Sequence, residues 1–294
     1  MNAKFPNADL LANVNWLQQN LGDQNLVVID ARFDVRANAD GSFTEVHGRQ
    51  GYEQGHIPGA QFVDLQVDLT DPQDVTSIIG PDDFAKLMSR LGVGSRSCVV
   101  IYDARGGVWA ARLWWALRYY GHDNVKMLDG GLTAWQAAGF SLERDVQPQI
   151  PSHFVPSIQS HLRVGKTQVL AAIKDENTCI IDALPAVFYR GLVGLYPHHR
   201  KGHIPSARNV PAEANLDPET LCIKPLSELQ VLWESADIQS DQQVITYCGG
   251  GVFASFSLFI LALIGHENSA LYDASWMQWG RDETLPVETG RYKS

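Results

Sequence analysis

Short apolar runs rich in β-branched residues alternate along the chain with longer amphipathic or apolar stretches. Runs of the first kind include "LVVID" at 26–30, "CVVIY" at 98–102 and "VITY" at 244–247. Their length is typical of buried strands, whereas the stretches between them have the length of helices. Strands that alternate with helices indicate a parallel sheet covered by helices on its faces. The pattern therefore predicts an α/β protein.

The longest apolar stretch covers residues 252–264 and contains neither a charge nor a proline. A helix that spans a bilayer needs about 20 apolar residues, and this stretch is shorter. We therefore predict a helix that packs against a sheet.

The sequence also contains an internal repeat. Four segments of the first half recur in the same order in the second half, at offsets of 144 to 152 residues. The pairs are "NLVVIDARFD" with "NTCIIDALPA", "GHIPGAQFV" with "GHIPSARNV", "CVVIYDARGGVWAA" with "QVITYCGGGVFAS", and "GHDNVKMLDGGLTAW" with "GHENSALYDASWMQW". Four ordered matches predict two domains of one fold, with Asp103 in the place that Cys248 takes in the second copy.

We predict an N-terminal domain over residues 1–143, a linker over 144–162 and a C-terminal domain over 163–294. The linker prediction rests on Pro148, Pro151 and Pro156 and on the weak hydrophobic periodicity of the stretch around them. Such a composition favours an extended chain.

The charge balance excludes two classes of partner. The net charge of −10 argues against nucleic acid and against an anionic membrane, because both are bound through excess Lys and Arg. The N-terminal residues lack the features of a signal or transit peptide. Four scattered cysteines form neither a disulfide framework nor a paired metal motif. We therefore expect a cytoplasmic protein that holds no metal.

Cys248 has a sequence environment that favours reactivity. It follows a predicted strand, precedes the predicted helix at 252–264, and is followed by Gly249, Gly250 and Gly251. Glycines allow backbone angles that side chains forbid, so the loop can turn successive N–H groups inward. Those donors and the helix dipole favour a thiolate, which predicts a thiol pKa below the usual value of about 8.5.

The other cysteines lack such a loop. Cys98 and Cys179 lie inside β-branched runs and are predicted to pack as small apolar residues, and Cys222 has no recognisable chemical environment. Asp103 cannot act as a sulfur nucleophile. We therefore expect the second domain to be catalytic and the first to be supportive.

Several motifs together resemble a known family. The motifs "GYEQGHIPGAQFVDL", "LDGGLTAWQAAG" and "CGGGV", together with the tandem repeat, resemble the tandem-domain rhodaneses and 3-mercaptopyruvate sulfurtransferases. The resemblance implies a rhodanese fold in each half, a catalytically inactive N-terminal domain, and a persulfide on Cys248. It also implies a loop that cradles the sulfur, formed by Gly249, Gly250, Gly251, Val252 and Phe253. The reaction would move a sulfane sulfur from 3-mercaptopyruvate or thiosulfate to a thiol or cyanide, with no cofactor.

The chain departs from the family pattern at several positions. Gly250 and Phe253 replace hydroxyl residues that are usual in mercaptopyruvate enzymes, which weakens the relay role that the resemblance implies for Asp64. Arg190 and Arg200 lie close to, but out of register with, the arginines that hold the donor's carboxylate. Guanidinium groups suit carboxylates, so we predict both arginines as substrate-binding residues.

Two other functions are compatible with a reactive cysteine loop. A non-catalytic persulfide carrier or a regulatory binding module would also keep Cys248 and its cradle. A phosphatase of the rhodanese fold needs an arginine six residues after the cysteine, where this chain has Ala254. Without a charge at that place, the loop is poorly suited to a phosphate dianion.

Overall fold

The computed structural model describes residues 4–37, 43–146 and 149–290. Pro148 of the predicted linker lies outside the described residues. Among the described residues of the stretch 144–162, the one regular element is a 3₁₀ turn at Ser160–Leu162.

The first half of the chain forms a five-stranded parallel sheet with helices around it. Its strands are β1 (Leu11–Ala12), β2 (Leu26–Asp30), β5 (Gln61–Phe62), β6 (Cys98–Tyr102) and β7 (Val125–Leu128), and an antiparallel hairpin adds β3 (Phe33–Ala37) and β4 (Phe43–His47). Its helices are α1 (Val14–Asn20), α2 (Arg49–Gln54), α3 (Leu65–Leu69), α4 (Pro81–Arg90), α5 (Ala110–Tyr119) and α6 (Gly131–Ala137). The strand order is β1-β7-β6-β2-β5.

The second half repeats this architecture. Its strands are β8 (Arg163–Val164), β9 (Thr178–Asp182), β10 (Arg208–Asn209), β11 (Gln243–Tyr247) and β12 (Ser269–Tyr272). Its helices are α7 (Lys166–Ala172), α8 (Ala186–Tyr189), α9 (Leu226–Glu234), α10 (Val252–Leu263) and α11 (Ser275–Trp279). The order β10-β9-β11-β12-β8 matches that of the first sheet strand for strand, and all its pairs are parallel. The predicted α/β class is therefore confirmed in both halves.

The apolar stretch 252–264 forms α10, which ends at Leu263, close to its predicted end. It packs against α5 of the first half as well as against its own sheet, with the rings of Trp114 and Phe259 5.1 Å apart. Burial on two sides explains why the helix carries no charge. No helix within the described ranges is long and apolar enough to cross a membrane.

Equivalent aspartates tie the two halves together reciprocally. The carboxylate of Asp129 accepts a hydrogen bond from the Ile223 amide at 2.8 Å, and that of Asp273 accepts one from the Ile78 amide at 3.2 Å. Each half thus sends a loop across to the other at equivalent places of the repeat. These loops place residues of the first half beside the loop that contains Cys248.

Candidate active site

Cys248 lies between β11 and α10, as predicted, and is only 3% exposed. Neighbouring backbone contacts fix its loop. The Cys248 amide donates to the Ser275 hydroxyl at 3.1 Å, and the Cys248 carbonyl accepts from the Trp276 amide at 3.0 Å. The carbonyl of Gly249 accepts from the Met277 amide at 2.9 Å. Helix α11 therefore holds the cysteine loop from one side.

The three glycines serve different purposes. Only Gly251 has a positive φ, of 80°. Gly249 is required for space, since a Cβ atom there would lie 2.8 Å from both Leu195 Cδ2 and the Tyr196 hydroxyl oxygen. A Cβ atom on Gly250 would make ordinary contacts, the nearest at 3.7 Å.

The prediction of a lowered thiol pKa is wrong. Burial raises the pKa of the Cys248 thiol above its usual value, because an apolar surrounding disfavours the thiolate. Amide donors from Gly250, Gly251 and Ala254 act in the opposite direction but do not outweigh burial. The charge of Asp182 raises the thiol pKa further. The loop thus supplies the predicted amide donors, but Cys248 is more deeply buried than the sequence indicates.

The equivalent loop of the first half shows what this backbone binds. The carboxylate of Asp103 is fully buried and accepts four backbone hydrogen bonds. Its donors are the amides of Arg105 at 2.8 Å, Gly107 at 2.8 Å, Trp109 at 2.7 Å and Ala110 at 3.0 Å. The repeat pairs Arg105 with Gly250 and Trp109 with Ala254, two of the donors around Cys248. In the first half, therefore, the loop encloses an anionic side chain of the chain itself.

Aromatic and apolar side chains surround the loop in the second half. The ring of Phe253 lies 5.5 Å from the ring of Trp109, which belongs to the first half. The Tyr196 hydroxyl and Leu195 lie against Gly249. Sequence reasoning missed Tyr196 and Trp109, because both reach the loop from distant parts of the chain; Trp109 lies within the repeat, but nothing in the repeat shows that it crosses to the other half.

A shallow cavity of about 260 Å³ opens beside this region, between the two halves. It is lined by Asp74, Thr76, Met277, Gln278, Arg281 and Asp282. Met277 connects it to the cysteine loop through the hydrogen bond to Gly249. Arg281, which sequence reasoning also missed, is an exposed cation in this cavity. The cavity is large enough for a small organic acid near Cys248.

The two predicted arginines have different environments. Arg200 donates to backbone carbonyls of Leu285 at 2.6 Å, Trp279 at 2.8 Å, Asp282 at 2.5 Å and Gly280 at 3.4 Å. Its guanidinium therefore anchors the segment after α11. Arg190 follows α8, and its guanidinium has no hydrogen-bond or ion-pair partner among the described residues.

Asp64 caps a helix and pairs with a histidine. Its Oδ1 atom accepts from the amides of Gln66 and Val67 at the start of α3, and its Oδ2 atom lies 2.9 Å from His47 Nδ1. None of these contacts is with the cysteine loop. The His47 ring packs 5.5 Å from that of Phe33, so the pair lies beside the aromatic cluster that includes Trp109.

An ion-pair cluster supports the loop from behind. Arg112 of α5 lies 2.6 Å from the carboxylate of Asp273, and Arg163 approaches the same carboxylate at 2.9 Å. A Cβ atom on Gly251 would lie 2.7 Å from the Asp273 carbonyl oxygen and 2.8 Å from Arg112 Nη1. The first half therefore contributes directly to the shape of the loop. Among the described residues, no cluster of His, Cys, Asp and Glu is suited to hold a metal ion.

Comparison with known proteins places this geometry in a family. A family model for the rhodanese-like domain matches residues 13–138 and again residues 166–282. The chain is 34% identical over 278 residues to 3-mercaptopyruvate sulfurtransferase from Escherichia coli K12, which covers 93% of this chain and 96% of that protein. It is 31% identical over 297 residues to the sulfur carrier protein TtuD of Thermus thermophilus, covering 97% and 99% of the two chains.

A solved structure agrees with both matches. The crystal structure of SseA from Escherichia coli, described as a 3-mercaptopyruvate sulfotransferase with the rhodanese fold, superposes with a TM-score of 0.80 at 32% identity. The superposition covers 91% of this chain and 98% of that one. The chain therefore belongs to the family of sulfurtransferases built from two rhodanese-like domains.

Proposed function

We propose that the protein moves a sulfane sulfur from a small-molecule donor to a thiol or to cyanide through a persulfide on Cys248. The observation that carries the proposal is the buried Asp103 carboxylate, held by four amides in the equivalent loop of the first domain. A loop of this shape suits an anion. In the second domain, the same backbone surrounds a cysteine, whose outer sulfur would bear negative charge after transfer.

The reaction would proceed in two displacements at sulfur. The Cys248 thiolate attacks the transferable sulfur of the donor, and the donor's bond to that sulfur breaks with its electron pair leaving on the donor fragment. From thiosulfate the fragment is sulfite, and from 3-mercaptopyruvate it is the enolate of pyruvate, which then takes a proton. An acceptor thiolate or cyanide next attacks the outer sulfur, and Cys248 departs as thiolate. Amides of Gly250, Gly251 and Ala254 would stabilise the charge on sulfur in both steps.

Of the two donors, we propose 3-mercaptopyruvate as the preferred one. The loop from Cys248 to Phe253 carries no charged side chain, and thiosulfate, a dianion, would find only backbone dipoles there. Mercaptopyruvate can place its carboxylate outside the loop, and we propose Arg190 as its partner, because the Arg190 guanidinium has no hydrogen-bond or ion-pair partner among the described residues. Arg200 is the weaker candidate, because four carbonyl oxygens already occupy its donors. Arg281 offers a further cation in the adjoining cavity.

Asp64 stays a candidate for proton transfer to the leaving fragment, acting through His47. The imidazole lies 2.9 Å from the carboxylate, and its side chain is 45% exposed, so it can exchange protons with solvent. This arrangement would replace the hydroxyl that the cysteine loop lacks at Gly250 and Phe253.

The proposal includes the division of the chain and its compartment. We propose an inactive domain over 1–143, a linker over 144–162 and a catalytic domain over 163–294; the two family matches fall within these domains. All four cysteines are free, which suits the reducing cytoplasm.

Mass spectrometry and a donor panel test the proposal. The wild type, treated with 3-mercaptopyruvate without acceptor, should gain the mass of one sulfur atom on the peptide that contains Cys248. The variant Cys248→Ser should fold, gain no sulfur and fail to produce thiocyanate from cyanide. Sulfur found on Cys98, Cys179 or Cys222 instead would show the assignment to be wrong.

A persulfide carrier is the second candidate, favoured by the similarity to a protein named as a sulfur carrier. A carrier would also acquire sulfur on Cys248. It would release that sulfur to small acceptors once, without the repeated turnover that thiocyanate formation measures. Single-turnover behaviour with every donor would favour the carrier over the enzyme.

A further inference from the structure

Corresponding helices of the two domains support the cysteine loop and its counterpart with different side chains. Helix α5 of the first domain brings Arg112 to Gly251, where a Cβ atom would lie 2.8 Å from Arg112 Nη1. Helix α10 of the second domain brings Phe256 to Gly107, where a Cβ atom would lie 3.5 Å from Phe256 Cε2. A guanidinium therefore lies behind the cysteine loop, whereas a phenyl ring takes its place behind the loop of the first domain.

The aspartates that connect the two domains show the same asymmetry. Asp129 follows β7 and Asp273 follows β12, and each accepts an amide hydrogen bond from the opposite domain. Of the two, only Asp273 has cationic partners among the described residues, Arg112 at 2.6 Å and Arg163 at 2.9 Å. The elements that correspond to those of the two arginines, α10 and β1, contain no charged residue. The contact between the domains thus forms without an arginine, and both arginines accompany the domain that contains Cys248.

Arg112 is buried and incompletely hydrogen-bonded. Its side chain is 8% exposed, and its guanidinium is fixed by the carboxylate of Asp273 and by the ring of Trp115, whose centre lies 4.9 Å from Cζ. The Nη1 atom beside Gly251 has no hydrogen-bond partner within the part of the chain that the structure describes. A buried donor without an acceptor is destabilising. The fold keeps this atom beside Gly251 nevertheless, which indicates a role beyond folding.

Gly251 forms the turn that directs the loop amides inward. Its φ of 80° lies in the left-handed region, and such a residue in a tight turn points neighbouring N–H groups at one place. In the first domain, the amides on either side of Gly106, which has a φ of 72°, both donate to the Asp103 carboxylate at 2.8 Å. In the second domain, Gly251 lies between Arg112 Nη1 and the carbonyl oxygen of Asp273, which would lie 2.7 Å from a Cβ atom there.

We propose that Arg112, a residue of the first domain, is a positioning residue for sulfur transfer. Its guanidinium, anchored by Asp273, fixes the Gly251 turn and so holds the loop amides on the sulfur of Cys248 while negative charge moves onto it. A phenyl ring suffices in the first domain, because the Asp103 carboxylate itself binds the amides of that loop. A thiol is a weaker acceptor, so the cysteine loop needs support from outside. This inference rests on the proposed role of Cys248 as the sulfur acceptor.

Single-turnover loading measures positioning separately from folding. The protein is mixed with a saturating excess of 3-mercaptopyruvate without acceptor, and quenched-flow mass spectrometry follows the gain of sulfur on the peptide that contains Cys248. The rate constant, unlike the amplitude, does not depend on the fraction of folded protein. In Arg112→Met it should fall by roughly 10- to 100-fold, because a displacement of about 1 Å at reacting groups has an effect of that order. The donor concentration that gives half the maximal rate should change little.

Two further variants separate this role from a purely structural one. Arg112→Lys keeps a cation that can pair with Asp273 but lacks the second nitrogen that contacts Gly251. It should therefore recover most of the thermal stability lost in Arg112→Met and little of its loading rate. Arg118→Met is the matched control, since it removes a more exposed arginine from the same helix, and it should load at the wild-type rate.

The outcomes also separate this inference from the proposed function. Loading at the wild-type rate constant in Arg112→Met, or full recovery of the rate in Arg112→Lys, would overturn the role of Arg112; if Arg112→Met does not fold, the rate of Arg112→Lys decides alone. Hydrogen–deuterium exchange of residues 248–255 needs no donor, and it should be faster in both Arg112 variants but not in Arg118→Met. Unchanged exchange would contradict the inference as well. A wild type that never carries sulfur on Cys248 would refute the proposed function, while the exchange rates would still decide whether Arg112 holds the loop.

Discussion

The Asp103 carboxylate provides the sharpest test of the idea that this loop binds anions. In Asp103→Asn the side chain keeps its shape but one oxygen becomes an NH₂ group, so only two of the four amide donors find an acceptor. The other two, for example those of Trp109 and Ala110, would face a second donor inside the protein. A hydrogen bond to a charged group contributes about 1.5–3 kcal/mol, so losing two should cost about 3–6 kcal/mol.

This loss is measurable by unfolding. For a chain of 294 residues, the usual unfolding entropy converts a loss of about 3–6 kcal/mol into a fall in Tm of about 5–10 °C. Urea unfolding followed by circular dichroism gives the free energy directly, and Asp145→Asn, at an exposed site in the linker that follows this domain, serves as the control. If Asp103→Asn were within about 1 kcal/mol of the wild type, the loop would have no preference for a negative charge. The inference drawn from it for Cys248 would then fail.

Three further predictions follow from individual contacts. Gly251→Ala should impair both folding and sulfur transfer, because a Cβ atom there would lie 2.7 Å from the Asp273 carbonyl oxygen in a backbone conformation with φ of 80°; transfer at wild-type rates would contradict this. Arg190→Ala should lower kcat/KM for 3-mercaptopyruvate by roughly 10- to 150-fold with little change in Tm, because one charge-assisted hydrogen bond contributes about 1.5–3 kcal/mol. Arg200→Ala should mainly lower Tm. The reverse pattern in kinetics and thermal melts would exchange the roles of the two arginines. The folded-state pKa of Asp182 is raised from 3.8 to about 7, so its contribution to stability is complete below pH 4 and is lost as the pH rises to 7. Between pH 5 and pH 7, the free energy of unfolding of the wild type, measured in urea, should fall by about 2–3 kcal/mol relative to that of Asp182→Asn. Parallel pH profiles of the two proteins would refute the raised pKa.

The elements around the site could be predicted because their signals are local. The β-branched run before Cys248 and the uncharged stretch 252–264 each determine one element, and the repeat shows that the pattern occurs twice. The loop donors were also predictable, since Gly250 and Gly251 lie two and three residues after the cysteine in a run of glycines. The role of Asp103 could have been read from the same alignment, because it places an acceptor-only side chain where the loop turns its amides inward.

The remaining features depend on contacts between distant residues. Tyr196 and Leu195 explain why Gly249 must be glycine, but they reach it from a loop whose path no local pattern indicates. The pKa of Cys248 depends on a balance between burial and amide donors, and the sequence shows the donors without showing how completely α11 and the first domain cover the sulfur. Arg200 has the sequence position of a substrate ligand, yet the fold brings four carbonyl oxygens to it.

The divergence of the two copies has a common physical basis. A loop that turns its amides inward must have them satisfied, since buried donors without acceptors are costly. The first domain meets this need with a permanent carboxylate, and the Leu221 carbonyl and the Leu216 side chain of the second domain cover the loop at Gly106. The second domain instead presents a thiol, a weaker acceptor, to the same kind of backbone. The loop amides of the second domain therefore make their strongest hydrogen bonds when the sulfur becomes charged. Hydrogen bonds that are stronger in the reacting state than in the resting state are what a site for anionic sulfur requires.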